Sequence, residues 1–114
     1  MGGMATYEIG GRAYECPVQL AAETLGGKWK LHIAWHLAQE PDLRFSELRR
    51  RILGGISEKM LITSLKDLEA DGLITRTAFP EVPPRVSYAL TPTGQELVPV
   101  LAAMSAFGKH YQHS

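Results

Sequence analysis

The chain reads as a mainly α fold with a small β-hairpin wing, a winged helix-turn-helix carrying extra helices at its N- and C-terminal ends. Three observations predict it. Two helical stretches with start signals, RFSELRRRIL and SEKMLITSLKDLEAD, flank a Gly54-Gly55 turn, the pattern of a helix-turn-helix. Two β-patterned runs follow, joined by a segment with three prolines. Helical apolar periodicity then appears on both sides of this unit, after Cys16 and after Thr91.

In chain order, residues 1–15 are Gly-rich and weakly patterned and are expected to be a flexible arm, in which Tyr7, Ile9 and Tyr14 can pack locally. The domain runs from residue 16 to residue 114. Pro17 suits the first position of a helix, Cys16 takes its cap, and Gly26-Gly27 stops it. KWKLHIAWHLA is apolar on most sides, which predicts a central helix. Gln39 to Leu43 reads as a loop. In RFSELRRRIL, Ser46 can cap, Glu47 suits the positive helix start, and Phe45, Leu48 and Ile52 point inward. Ser57 caps the next helix, which runs from Glu58 to about Asp71 and ends at Gly72. Leu73 to Thr77 and Arg85 to Leu90 alternate as strands, and the prolines of AFPEVPP keep the tip between them out of the ladder. Thr91 caps a last helix with Pro92 at its first position, and Pro99 either kinks that helix or moves its start later.

With 114 residues the chain has room for one globular domain and no second. No apolar run approaches the ~20 residues that cross a bilayer, and the N-terminus lacks the order of a signal peptide, which points to the cytoplasm and away from membranes. The single cysteine excludes an intrachain disulfide. Net charge is zero, but Arg44 to Lys66 carries six basic residues against two acidic ones, a local +4. Met1 to Leu43 carries three against five, a local −2. The middle of the chain is therefore the part suited to a polyanion.

At ~100° per residue, Leu61, Leu65 and Leu68 form one stripe, and Lys59, Thr63 and Lys66 lie opposite. A major groove admits one helix and is read by side chains on its outer face, so Ser57, Lys59, Met60, Thr63, Ser64 and Lys66 are the candidates for contact with double-stranded DNA. Arg49, Arg50 and Arg51 fan outward and suit phosphate, while Arg85 at the end of the proline loop suits a narrow minor groove. Each also has a plainer reading, as solvated surface or, for Arg85, as a charge guarding a sheet edge. A second function class is a winged helix that docks a protein instead of DNA; the local +4 distinguishes the two. His32 with His36, and His110 with His113, have chelate spacing but no clear third ligand, so no metal or other cofactor is expected. No nucleophile triad, phosphate loop or carboxylate pair suggests an enzyme. The last helix repeats Leu97, Leu101, Met104, Gly108 and Tyr111, widened by Val100 and Phe107, a stripe too wide for a core of this size; this predicts a homodimer.

Several strings, in order, resemble the HxlR-type winged-helix regulators, a group related to MarR-type regulators: CP before the first helix, GGKWK, RFSELRR, GISEKML with LEADGLI, and PEVPPRVSYALTPTG. The resemblance spans about Cys16 to Gly108 and departs at Ser87, where the family usually has an acid. It implies a homodimeric transcriptional regulator, usually a repressor or activator of nearby genes, binding an imperfect palindrome. The first and last helices would form the interface, at Val18, Leu97, Leu101, Met104, Phe107 and Tyr111 on this chain. In some members the cysteine matching Cys16 senses an oxidant or a small electrophile. A cysteine at the positive end of a helix suits that role, and a small buried residue at the dimer seam is the other reading.

Overall fold

The computed structural model describes residues 7–9, 11–52 and 54–113. Residues 1–6 and 10 of the expected arm lie outside the described residues. The rest of the arm is structured: β1 (Tyr7–Ile9) and β2 (Arg12–Tyr14) form an antiparallel hairpin that turns at Gly11, and the Tyr14 ring is buried. Three-residue strands are too short to show a period in sequence, which is why this stretch reads as an arm. α1 (Pro17–Thr24) packs on that hairpin and buries none of its own side chains.

α2 (Lys30–Gln39) occupies the centre, as its apolar circumference predicts, and meets α3 (Phe45–Arg51), α4 (Glu58–Ala70), the wing and the last helix. Ile33 and Leu37 from α2 close the core with Leu48, Leu61, Leu65 and Leu68. Lys30 fastens the arrangement from the side: its Nζ donates to the Thr24 carbonyl at 3.2 Å and stands 3.9 Å from the Asp67 carboxylate of α4.

The wing consists of β4 (Ile74–Phe79) and β5 (Arg85–Leu90), with Thr77 opposite Ser87. A third strand, β3 (Leu43–Arg44), replaces the end of the expected loop and pairs with β5, placing Leu43 opposite Tyr88. The order β3-β5-β4 makes β5 central. That explains Ser87, which alternation puts on the solvent side but which is only 2% exposed, flanked by Arg44 on one strand and Thr77 on the other.

The last helix is two helices, the outcome anticipated at Pro99. α5 (Pro92–Gln95) is one turn, and α6 (Val98–His113) starts later with Pro99 in its first turn. Thr91 secures the junction, because its Oγ accepts from the Gly94 N–H at 2.9 Å and donates to the Gly72 carbonyl at 2.6 Å. Gly94 lies so close beneath this turn that a Cβ there would overlap the Leu73 carbonyl oxygen. Two expected interface residues need correction: Leu101 is buried and Leu97 packs against the core, so both serve their own protomer. The stripe on α6 is wide enough to face two ways, with Leu101 turned to the core and Val100 and Met104 left exposed.

Candidate nucleic-acid interface

The turn between α3 and α4 depends on two glycines with positive φ, Gly54 at +104° and Gly55 at +74°. Side chains rarely adopt that backbone, so the positive φ is what calls for glycine here; Gly54 itself lies beside the Trp29 ring. Ser57 then starts α4 as expected, its Oγ accepting from the Met60 N–H at 3.1 Å. At α3 the start differs from expectation. Arg44 is the cap position, Ser46 lies inside the helix, and Glu47 Oε1 accepts from the Arg44 N–H at 2.9 Å.

The fold orients α4 unambiguously. Leu61, Leu65 and Leu68 are buried, and Lys59, Met60, Thr63 and Lys66 are exposed on the remaining surface, with Ser57 exposed at the helix start. Ser64 is the correction: it is 5% exposed and lies with the leucines, so it cannot reach a base edge. A stripe of three leucines does not reveal the width of the buried arc: Ser64, at ~300° from Leu61, lies ~40° beyond Leu68, the last leucine on that side, and is still covered.

The three arginines of α3 separate. Arg49 stands 3.9 Å from Glu58, a loose and solvent-exposed pair, while Arg50 is exposed with no ion-pair partner among the described residues. Arg51 instead reaches Glu40 at 3.4 Å and borders a cleft between α2 and α6, which corrects its placement with the phosphate-facing pair. Arg85 is also engaged: it pairs with Glu81 at 3.2 Å and stacks over Phe79 at 4.0 Å from the ring centre. In this conformation it braces the wing rather than extending from it, a correction to its expected role in a minor groove. Glu81 lies within the proline loop, whose backbone course is not legible in the sequence.

Three residues on this side were not singled out from sequence. Arg44 is exposed beside the wing loop, bordering a cleft with Ser46 and Pro84. Ile62 and Arg76 line a groove between α4 and the wing, together with Lys66. Arg44 was detectable as the first charge of the +4 segment; Ile62 falls between the two faces of the helix and gave no signal.

Away from this surface, Val18, Val100, Met104, Phe107 and Tyr111 are exposed, Phe107 at 69% and Tyr111 at 74%, and their two rings stack at 5.8 Å. Cys16 is exposed and free at the cap of α1, not a buried residue within its own protomer. Among the described residues no three His, Cys, Asp or Glu side chains gather as a metal site, and the His113 side chain lies outside them. No helix in the described residues is long and apolar enough to cross a membrane.

Comparison with known proteins agrees with this architecture. The model of the HxlR-like helix-turn-helix family matches residues 24–114. An HTH-type transcriptional regulator of Methanothermobacter thermautotrophicus is 44% identical over 104 residues, covering 91% of this chain and 78% of the relative. Among solved structures, the redox regulator HypR in its oxidized form superposes with a TM-score of 0.77 at 39% identity, covering 83% of this chain and 96% of that one. The transcriptional regulator YodB from Bacillus subtilis, in its reduced form, gives 0.70 at 35% identity, covering 84% and 93%.

Proposed function

The chain belongs to the HxlR-like helix-turn-helix family and is a DNA-binding transcriptional regulator, and from that membership we propose that it binds an imperfect palindrome as a homodimer, with α4 of each protomer in the major groove. The observation that carries the proposal is the outer face of α4, where Lys59, Thr63 and Lys66 are exposed and both lysines lack an acidic partner among the described residues. Lys59, Met60 and Thr63 are the base-reading residues. Ser57, Arg49, Arg50 and Lys66 hold phosphate, with Arg44 added to them. The dimer forms through Val18, Met104, Phe107 and Tyr111, joined by Val100, because these are the large apolar side chains left uncovered on α1 and α6. A protein-docking winged helix is not favoured: it needs no local +4, and the relatives are regulators.

Cys16 is the proposed sensor. It is accessible, and the structural neighbours include HypR, solved oxidized and reduced, and YodB, solved reduced and after diamide treatment. With one cysteine per chain, two-electron oxidation joins Cys16 either to the partner protomer's Cys16 or to a small thiol as a mixed disulfide, in each case passing two protons and two electrons to the oxidant; an electrophile instead adds to the thiolate as a thioether. Either event occurs at the start of α1, beside the proposed interface, and a rotation there re-aims helices whose spacing must match one DNA turn of ~34 Å.

Sequencing DNA fragments selected by the purified protein tests the main reading. Imperfect palindromes with half-sites one turn apart are expected; recovery of unrelated sequences would refute it. Diamide treatment of wild type and Cys16→Ser, followed by operator titration, tests the sensor. Wild type should lose affinity and the serine variant should keep it; equal behaviour of the two would make Cys16 structural.

A further inference from the structure

A cleft of about 420 Å³ lies between α2 and α6, on a different face from α4. Its apolar walls are Trp35, Leu101 and Met104, and its polar groups are His32, His36 and Arg51; no carboxylate lines it. Glu40, which does not line the cleft, meets Arg51 at 3.4 Å with half of its own side chain exposed. A pair so open to solvent holds weakly and exchanges readily. The basic groups are also crowded. Burial, then the Arg51 charge, then His32, hold the His36 imidazole below its ordinary pKa, and the cleft thus gathers one guanidinium and two imidazoles beside an indole wall.

We propose that this cleft is an effector site for a small carboxylate with an aromatic body, its carboxylate on Arg51 and His36 and its ring against Trp35. A guanidinium offers two parallel N–H donors to a carboxylate, a geometry that an exposed Glu40 can yield to a better-desolvated anion. The imidazoles supply further donors, and the apolar walls exclude water from one side of the ring, which strengthens the ionic contact. The position gives such a ligand leverage. Leu101 anchors α6 to the core, whereas Met104, one turn on, borders the exposed apolar face, so a molecule wedged between Trp35 and these residues tilts α6 and changes how two protomers meet. The regulatory consequence rests on the dimeric-regulator reading above, but ligand binding itself does not.

Calorimetric titration of the full chain, without DNA, with 2-naphthoate and its uncharged counterpart 2-naphthamide tests the site. Naphthoate is expected to saturate at one per chain and to bind at least tenfold tighter than the amide. Arg51→Gln and His36→Gln should each weaken naphthoate at least fivefold and leave the amide unchanged. Ser105→Phe, which fills the cleft from α6, should abolish both, and thermal melts confirm that each variant is folded. Absence of saturable naphthoate binding, equal affinity for the amide, or unchanged affinity in both charge variants would overturn the site. Saturating naphthoate should then weaken wild-type operator binding at least fivefold; unchanged operator affinity would overturn its role as an effector. A ligand-free protein that failed to bind DNA would refute the regulator reading alone, because the calorimetry contains no DNA.

Discussion

Ser57 and Ser64 are chemically alike and two helical turns apart, yet one hydroxyl is at the protein surface and the other is buried among leucines. The difference is position along α4: Ser57 stands at the start, where its oxygen satisfies an otherwise unpaired N–H, and Ser64 stands where α4 crosses the core. Ser57→Ala is expected to lower stability by about 1 kcal/mol in chemical denaturation. Ser64→Ala should leave base preference unchanged in selected DNA. His36 yields a prediction of a different kind. Its native pKa lies below the unfolded value near 6.5, so the unfolded chain binds more protons between the two. Its contribution is complete above pH ~6.5 and is lost as pH falls through the native pKa. His36→Gln should flatten that part of the stability profile measured by denaturation at a series of pH values.

α6 shows how one apolar stripe serves two purposes. Leu101→Ala removes a buried side chain and is expected to cost about 2–5 kcal/mol of protomer stability. Phe107→Glu should leave the protomer folded and shift sedimentation from dimer to monomer, since that ring is largely uncovered; a variant that stayed dimeric would contradict the interface. Gly94→Ala should destabilise by about 1–3 kcal/mol, because the turn before α6 has no room for a Cβ. The elements themselves were largely legible in sequence. Proline at a helix start and glycine at its end, the Gly54-Gly55 turn, and the alternation of Val86, Tyr88 and Leu90 each mark a local conformation by a local rule. The unreadable parts depended on distant partners. β1, β2 and β3 are too short to show a period, Leu97 and Leu101 have a periodicity that does not say which neighbour covers them, and the ion pair of Arg85 requires the path of the proline loop. For the same reason the lysines and threonine of α4 were found and the burial of Ser64 was not.

The whole molecule is neutral, so its affinity for a polyanion depends on where the charges sit. α2 fixes the orientation of α4 through the core and through Lys30 with Asp67, and α4 in turn presents Lys59 and Thr63 outward. Arg50, on the neighbouring helix, is exposed and suited to phosphate. Base contacts and phosphate contacts respond differently to mutation: the first change which sequence is preferred, and the second weaken all sequences while flattening the salt dependence. The most direct measurement is therefore binding of wild type, Lys59→Ala, Thr63→Ala and Arg50→Ala to the selected operator and to its single-base variants across a salt series. Altered base preference is expected for Lys59→Ala and Thr63→Ala. For Arg50→Ala, a uniform loss with a salt slope reduced by about one is expected. A uniform loss from all three variants, with base preference unchanged, would contradict the assignment of α4 as the reading helix.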